Sequence, residues 1–435
     1  MNPELRRNLW LELSPHRLIA APIVLGLLFL LVSSSQARPW PSVFSTASGI
    51  LFLVVHLWGM RKAGESVTEE VRDRTWDWQR LSSLGAWPMA WGKLVGATAF
   101  PWYVGLLCLA TMAVAWSMEA SLRGTPWVML GLAASAVTLQ AGAFAGSILA
   151  SRKDSRLGAR LGTFLLFPVA IAALAAYVQV DREMATPITW YHVRFGPLRF
   201  LACSAVAFAG WALLGAHREM QRELRVRALP WGIPAFVLFM GAYVAGFEMP
   251  MTSAPSAFVF GCFFTAMVLV YYGLFADVTN AMTLRTMLQR ARGRDWRRGL
   301  EALPLWAVAL PIAALFSVLS ALQPMPPGLG LGERWLGLYP VAMFLLALRD
   351  VGLLAFFALA PRARRVEGAA LLYIVLLTVI LPALFSLVGM ETVARFLVPF
   401  KMGGWQATLV MTVQCAIVWG AALARGRRLA RALRD

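Results

Sequence analysis

Residues 94–117 read LVGATAFPWYVGLLCLATMAVAWS, a run from Leu94 to Ser117 without one charged side chain. About 20 mostly apolar residues in helical conformation match the hydrocarbon thickness of a bilayer, so the run predicts a membrane-spanning helix. Immediately before it lies a segment of opposite character, 61–93, dense in Glu, Asp, Arg and Lys. The same alternation extends in both directions. Apolar runs occupy 18–32, 44–60, 94–117, 126–150, 161–180, 198–216, 230–247, 255–275, 304–322, 335–360, 369–389 and 402–424. Composition agrees: 59% of the 435 residues are hydrophobic and 14% charged, against about half and about a quarter in soluble domains. That length would allow two or three soluble domains, but no polar stretch is long enough to fold as one. The expected fold is an all-α polytopic membrane protein with about 12 transmembrane helices.

The cations set the orientation. Of the 40 Lys and Arg residues, 32 lie in the alternate segments 1–17, 61–93, 151–160, 217–228, 276–303, 349–366 and 425–435, and 8 in the intervening ones. Cytoplasmic loops carry such an excess, so the chain is expected to be multi-pass in the inner membrane, with both termini cytoplasmic. The net charge of +18 sits in short blocks between apolar runs. This is the pattern a lipid bilayer imposes, and it argues against a nucleic-acid partner. Cys108, Cys203, Cys262 and Cys415 all fall inside apolar runs without metal-ligand spacing, so neither a disulfide framework nor a metal site is expected. His16, His56, His192 and His217 are scattered, and His56 reads as packed within a helix.

The two halves resemble each other weakly. Glu4, Leu5, Arg7, Leu9 and Pro15 align with Glu219, Met220, Arg222, Leu224 and Pro230 at a constant offset of 215. Each stretch precedes an apolar run and reads as an amphipathic helix in the interface plane. Asp77-Trp78 and Asp295-Trp296 align at an offset of 218, each in a long segment after the second run of its half. The outer loops 181–197 and 390–401 form a third pair, both with aromatic residues. The expected division is therefore a first half, 1–216, with an elbow at 2–14 and a long segment at 61–93. The second half, 217–435, has an elbow at 217–229 and a long segment at 276–303. The short first run, 18–32, could be a signal-peptide core, with Ser33 to Ala37 as a small-residue cleavage site. Its counterpart in the second half is internal, which favours a retained helix.

Segment 61–93 passes from alternating charge to an aromatic flank, Trp76, Trp78, Trp87 and Trp91, and re-enters the membrane at Gly92-Lys93-Leu94. A solvated loop with an interfacial belt would look like this, and so would a site for a cytosolic partner. The order of features resembles the permease subunits of ABC-2 type exporters: Glu69-Glu70, then Thr75, an apolar stretch at Leu81 to Leu84, and Gly92-Lys93-Leu94. The family often has Gly before the Thr, where this chain has Arg74. The resemblance implies six spans per half, an N-terminal elbow, a coupling helix between spans two and three, and an outer helical hairpin between spans five and six. It further implies ATPase-coupling roles for Glu69, Glu70, Arg72, Asp73, Thr75, Trp76 and Asp77, with Asp295 and Trp296 in a second, degenerate segment. The partner implied is a cytosolic ABC ATPase that binds ATP and Mg; this chain itself holds no cofactor and is not an enzyme. Gly92-Lys93 is not a phosphate-binding loop, because that loop needs Gly at position 87, which is Trp87, and Ser or Thr after the Lys.

Arg349-Asp350 lies near the middle of the run 335–360. Charges there are costly and are functional candidates by default. Neighbouring residues on a helix point about 100° apart, so the pair is expected to need separate partners or a wet cavity. A structural contact, or a span that starts later, would also explain it. Gln140 occupies the similar place in the first half. Gly92-x-x-x-Gly96 and Gly142-x-x-x-Gly146 permit close helix approach. Asp154 to Arg160 resembles a loop of major facilitator transporters but follows the fourth run, and reads as a basic cap. The alternatives to an exporter permease are a secondary transporter of the major facilitator kind, a membrane-embedded lipid or glycan transferase, and a structural scaffold. A transferase would need clustered His, Asp or Glu at one membrane surface. The outer loops supply only Asp181, Glu183, His192 and Glu391.

Overall fold

The computed structural model describes residues 2–82, 84–119, 121–122, 124–152, 187–226, 229–247, 253–276, 289, 300–301, 303–323, 338–360, 366–398 and 402–432. Among these, nine helices are long and apolar enough to cross a membrane, and two shorter apolar helices accompany them. This is the architecture of a multi-pass helical membrane protein. Eleven of the twelve apolar runs coincide with these helices; the fifth, 161–180, lies outside the described residues. The chain divides into two compact units, Met1–Ile188 with Arg194–Ala228, and Thr189–Val193 with Leu229–Asp435.

In the first unit α1 (Pro3–Glu12) starts with Pro at its first turn, and the Asn2 side chain accepts from the Glu4 amide at 3.1 Å. That cap satisfies one of the amides a helix start leaves open. α2 (Pro15–Ser34) follows after two residues. The next helix, α3, runs Pro39–Arg72, 34 residues, far past the apolar run 44–60. It continues because its charged part is still good helix sequence, with Arg61 and Glu65 paired one turn apart at 2.8 Å. Its middle, Phe52–Trp58, is π-helical. α4 (Trp76–Arg80) and α5 (Ala86–Ala97) complete the segment after it. The third span was expected from residue 94. Instead α5 ends at Ala97, and α6 (Ala99–Met118) begins after Thr98. The reason is Pro101, which has no amide to donate to the carbonyl four residues back. α7 (Thr125–Arg152) and α8 (Pro197–Glu223) pack against each other, and α3 packs on α7.

The elbow expected over 217–229 is not a separate helix. Residues 217–223 prolong α8, which ends at Glu223. Nothing from His217 to Glu223 breaks a helix, and Glu219 and Arg222 pair at 3.2 Å within it. Nor is residue 188–195 an outer helical hairpin: it holds two short strands, β1 (Ile188–Trp190) and β2 (Val193–Phe195). Tyr191 and His192 between them have φ of 48° and 64°, the left-handed backbone that a two-residue hairpin turn requires. Residues 181–186 of that loop lie outside the described residues.

In the second unit the hairpin tip, 189–193, is fixed to α9 (Gly232–Ala245). The Trp190 Nε1 donates to the Tyr243 carbonyl at 3.1 Å and the Tyr191 hydroxyl to the Ala242 carbonyl at 2.7 Å. α10 (Ala254–Ala276) packs on α9 and on α11 (Leu305–Ala321). α12 (Tyr339–Ala358) lies against α11, against the helix that begins at Val366 and against α15 (Gly404–Ala432). α13 is built from Val366–Val375, a π-helical turn Leu376–Ile380, and Leu381–Leu387; the short α14 (Glu391–Leu397) follows. The core includes Val237, Cys262, Ala266, Val270, Ala309, Ala313, Ala347 and Val351. Small residues at such positions let helix backbones approach closely, which is how helices associate without a hydrophobic drive between them.

Candidate functional site

The long segment 61–93 folds as a helix, a reversal and a helix. α3 stops at Arg72, and the chain turns through Arg74, whose φ is 58°. The Thr75 amide reaches back to the Glu70 carbonyl at 2.9 Å and the Arg74 amide to the Val71 carbonyl at 3.2 Å. Together these form a Schellman cap, in which the left-handed position is usually Gly. The resembled family's Gly before the Thr therefore falls on the one residue here that needs glycine-like backbone, and Arg74 adopts that conformation in its place.

The reversal returns the chain so that Lys93, at the start of the apolar run, meets the end of α3. Lys93 is 1% exposed. Its Nζ donates to Glu4 Oε1 of α1 at 3.0 Å, to Glu70 Oε2 of α3 and to Gln79 Oε1 of α4, and lies 5.1 Å from the Trp76 ring centre. Gln79 Nε2 donates to the other Glu70 oxygen at 2.8 Å, and Arg7 approaches that oxygen at 3.4 Å. Two cations and two carboxylates thus balance in one knot drawn from α1, α3, α4 and α5. A buried charge is tolerated only when paired and hydrogen-bonded this way. The knot requires α1 to lie close on α5, and glycine makes that possible. A Cβ on Gly92 would stand 3.0 Å from the Leu5 amide nitrogen, and one on Gly96 2.4 Å from Asn8 Cβ. The other glycine pair differs: Gly146 has open space where its Cβ would be.

A second contact set ties the segment to α8. Trp76 is buried, and its Nε1 donates to Glu223 Oε1 at 3.3 Å; Arg80 Nε reaches the same oxygen at 3.4 Å. The outer side of the reversal is bare. Glu69, Arg72, Asp73 and Thr75 are exposed, the Asp77 side chain is 86% exposed, and Trp78 and Leu81 are 76% and 82% exposed. Trp87 and Trp91 stack on each other at 6.1 Å on the exposed face of α5. The seven candidates of the first segment therefore divide. Glu70 and Trp76 face inward and hold the fold, while Glu69, Arg72, Asp73, Thr75 and Asp77 face out. Asp295 and Trp296 lie outside the described residues, as does almost all of 276–303 and the loop 154–160.

Arg349 and Asp350 lie at the centre of α12, so the span does not start later. Each takes a separate partner, as expected, but the two also pair with each other. Arg349 folds back so that Nε and Nη2 both bind Asp350 Oδ1, at 3.0 and 2.8 Å. A guanidinium on a long stem can turn its fork onto a neighbouring carboxylate although the two Cβ atoms diverge. The remaining valences go to uncharged groups: the Tyr271 hydroxyl donates to Asp350 Oδ2 at 2.9 Å, and Arg349 Nη1 to Gln414 Oε1 at 2.8 Å. Both charged residues are 1% exposed. Gln140 in the first unit has no such charge. It donates to the Val55 carbonyl at 2.8 Å and accepts from Trp102 Nε1 at 2.9 Å.

Sequence reasoning missed Glu4, Gln79 and Lys93 as partners, and Glu223 altogether. Lys93 was visible as a lone cation next to a charge-free run; its anions, 89 and 23 residues away in the chain, were not. His56 is buried as expected, but beside Ser135 Oγ at 2.9 Å and inside the π-helical segment. Among the described residues, no group of three or more His, Cys, Asp or Glu is placed to hold a metal. No protein-family model, no curated protein and no solved structure matches the chain.

Proposed function

We propose that this chain is the membrane-spanning subunit of an ATP-driven exporter of the ABC-2 kind, with two six-helix halves fused and ATP and Mg bound by a separate cytosolic ATPase. In this reading the basic segments and both termini face the cytoplasm, in the inner membrane. The observation that carries it is the bare tip of segment 61–93. Asp73, Asp77, Trp78 and Leu81 are held out on a short reversal whose other side is clamped by Lys93, Glu70, Trp76 and Glu223. A rigidly mounted aromatic with charges around it is what a protein partner can grip, and force applied there passes to α1, α3, α5 and α8 through ion pairs. Such rocking of helical bundles is the usual scheme of alternating access.

Purification from the native host in mild detergent should retain an ATPase. Trp78→Ala together with Asp77→Ala should weaken that association by about 2 kcal/mol or more. These residues test docking cleanly, whereas Glu70→Ala would also break the clamp. Absence of an ATPase, or equal retention by the variant, would refute the reading. A secondary transporter would rest on Arg349-Asp350, and transport driven by a proton gradient without ATP would favour it. In that pair, however, the carboxylate is already engaged by Arg349 and Tyr271.

A further inference from the structure

The end of α15 differs from the ion-paired basic groups of the first unit. In the first unit Arg7 is paired with Glu70, Arg17 and Lys62 with Glu12, Arg61 with Glu65, Arg80 with Glu223 and Lys93 with Glu4. Helix α15 contains no Asp or Glu at all. One of its arginines is used internally: Arg425 lies 4.5 Å over the Phe356 ring and donates to the Phe356 carbonyl at 3.4 Å. The next three, Arg427, Arg428 and Arg431, are exposed and have no hydrogen-bond, ion-pair or ring partner in the described structure.

Their placement on the helix is specific. Positions three, four and seven apart share one face. Val413 and Ile417 share one face and are exposed at 51% and 67%; Arg428 and Arg431 return to that face beyond them, and Leu423, exposed at 57%, shares its own line with Arg427 four residues on. Arg427 stands about 6 Å and Arg431 about 12 Å along the axis beyond Leu423. Leaving the bilayer along the helix, the exposed apolar side chains give way within one or two turns to unneutralised guanidinium groups. That depth is where phosphate groups of phospholipids lie, and a guanidinium pairs with phosphate through two parallel hydrogen bonds.

We propose that Arg427, Arg428 and Arg431 form a binding surface for the phosphate headgroups of anionic phospholipids, with Arg425 fixing the helix that presents them. The surface belongs to the second unit alone and does not depend on what the protein transports.

The test uses the full chain reconstituted in phosphatidylcholine vesicles with trace spin-labelled phosphatidylglycerol or phosphatidylcholine, reading the lipid fraction immobilised on the protein. The intact chain should prefer phosphatidylglycerol, and Arg427→Gln, Arg428→Gln, Arg431→Gln together should lower that preference by about threefold or more, from a ceiling of about fivefold per cation. Arg38→Gln with Arg194→Gln, exposed arginines elsewhere, should leave it unchanged. High salt should abolish the preference of the intact chain, because exposed charges are screened; this arm stands even if the triple variant does not fold. The proposal is overturned by an intact chain without preference, by a triple variant that keeps it, or by persistence at high salt. Displacement by inorganic phosphate beyond that of chloride at equal ionic strength would overturn the lipid as occupant.

Discussion

The two units each bury a cation beside a carboxylate and close the pair in opposite ways. Lys93 takes its anions from distant parts of the chain, so its knot is tertiary structure. Arg349 takes its anion from the next residue, so its charge is balanced within α12 before any other helix arrives. What joins this pair to the neighbouring helices is neutral, the Tyr271 hydroxyl and the Gln414 amide. The first knot assembles α1, α3, α4 and α5; the second makes one span safe to bury. Burial differs as well: Glu4 and Glu70 keep side-chain exposures of 9% and 13%, Asp350 only 1%.

The comparison breaks most sharply at Asp350. Asp350→Asn leaves Arg349 charged in mid-span and should cost about 3–5 kcal/mol, read as a fall in the unfolding midpoint in nanodiscs. Arg349→Met with Asp350→Leu should recover most of that loss. Failure to recover would mean the pair does more than neutralise itself. Lys93→Met should cost less, about 2–3 kcal/mol, because Arg7 still balances Glu70 and both carboxylates keep some water. Adding Glu70→Gln should be far from additive, and additive costs would dissolve the knot as described.

Closer packing gives the next effect. Gly96→Ala places a methyl 2.4 Å from Asn8 Cβ, and should push α1 off α5 at a cost of about 1–2 kcal/mol. Trypsin cleavage after Arg6 and Arg7 should accelerate; unchanged cleavage would show that α1 docks some other way. The smallest effect separates two caps. Gly389, φ 80°, ends α13 in the second unit as Arg74, φ 58°, ends α3 in the first. Arg74→Gly should therefore stabilise by about 0.5–1 kcal/mol, and Gly389→Ala destabilise by about as much, in the same unfolding measurement.

Much of the fold was legible because lipid imposes simple rules. Length and apolarity marked eleven described helices. The errors are local. The break at Thr98 follows from one proline inside an unbroken apolar run, which hydropathy cannot see. The helix through Glu223 shows that charge ends a span without ending a helix. The strands at 188–195 depend on two left-handed residues, Tyr191 and His192, that no turn signature announces. In the site, the order Glu70, Thr75, Lys93 was visible but its geometry was not, since Glu4 and Glu223 become partners only once the chain has folded.

Phase matters as much as length in α3. A residue in a π-helix bonds to the fifth residue back rather than the fourth, so Phe52–Trp58 offsets everything after Gly59 from the first half of the helix. One residue is about 100° of rotation and 1.5 Å of rise. Val43, Ala47 and Leu51 bury one face of the first half, and the offset decides which face of the second half carries Glu70. Removing any one residue from Phe52–Trp58 would leave every side chain of the clamp present and turn Glu70 away from Lys93. The clamp at the end of α3 is thus set by counting residues inside the helix.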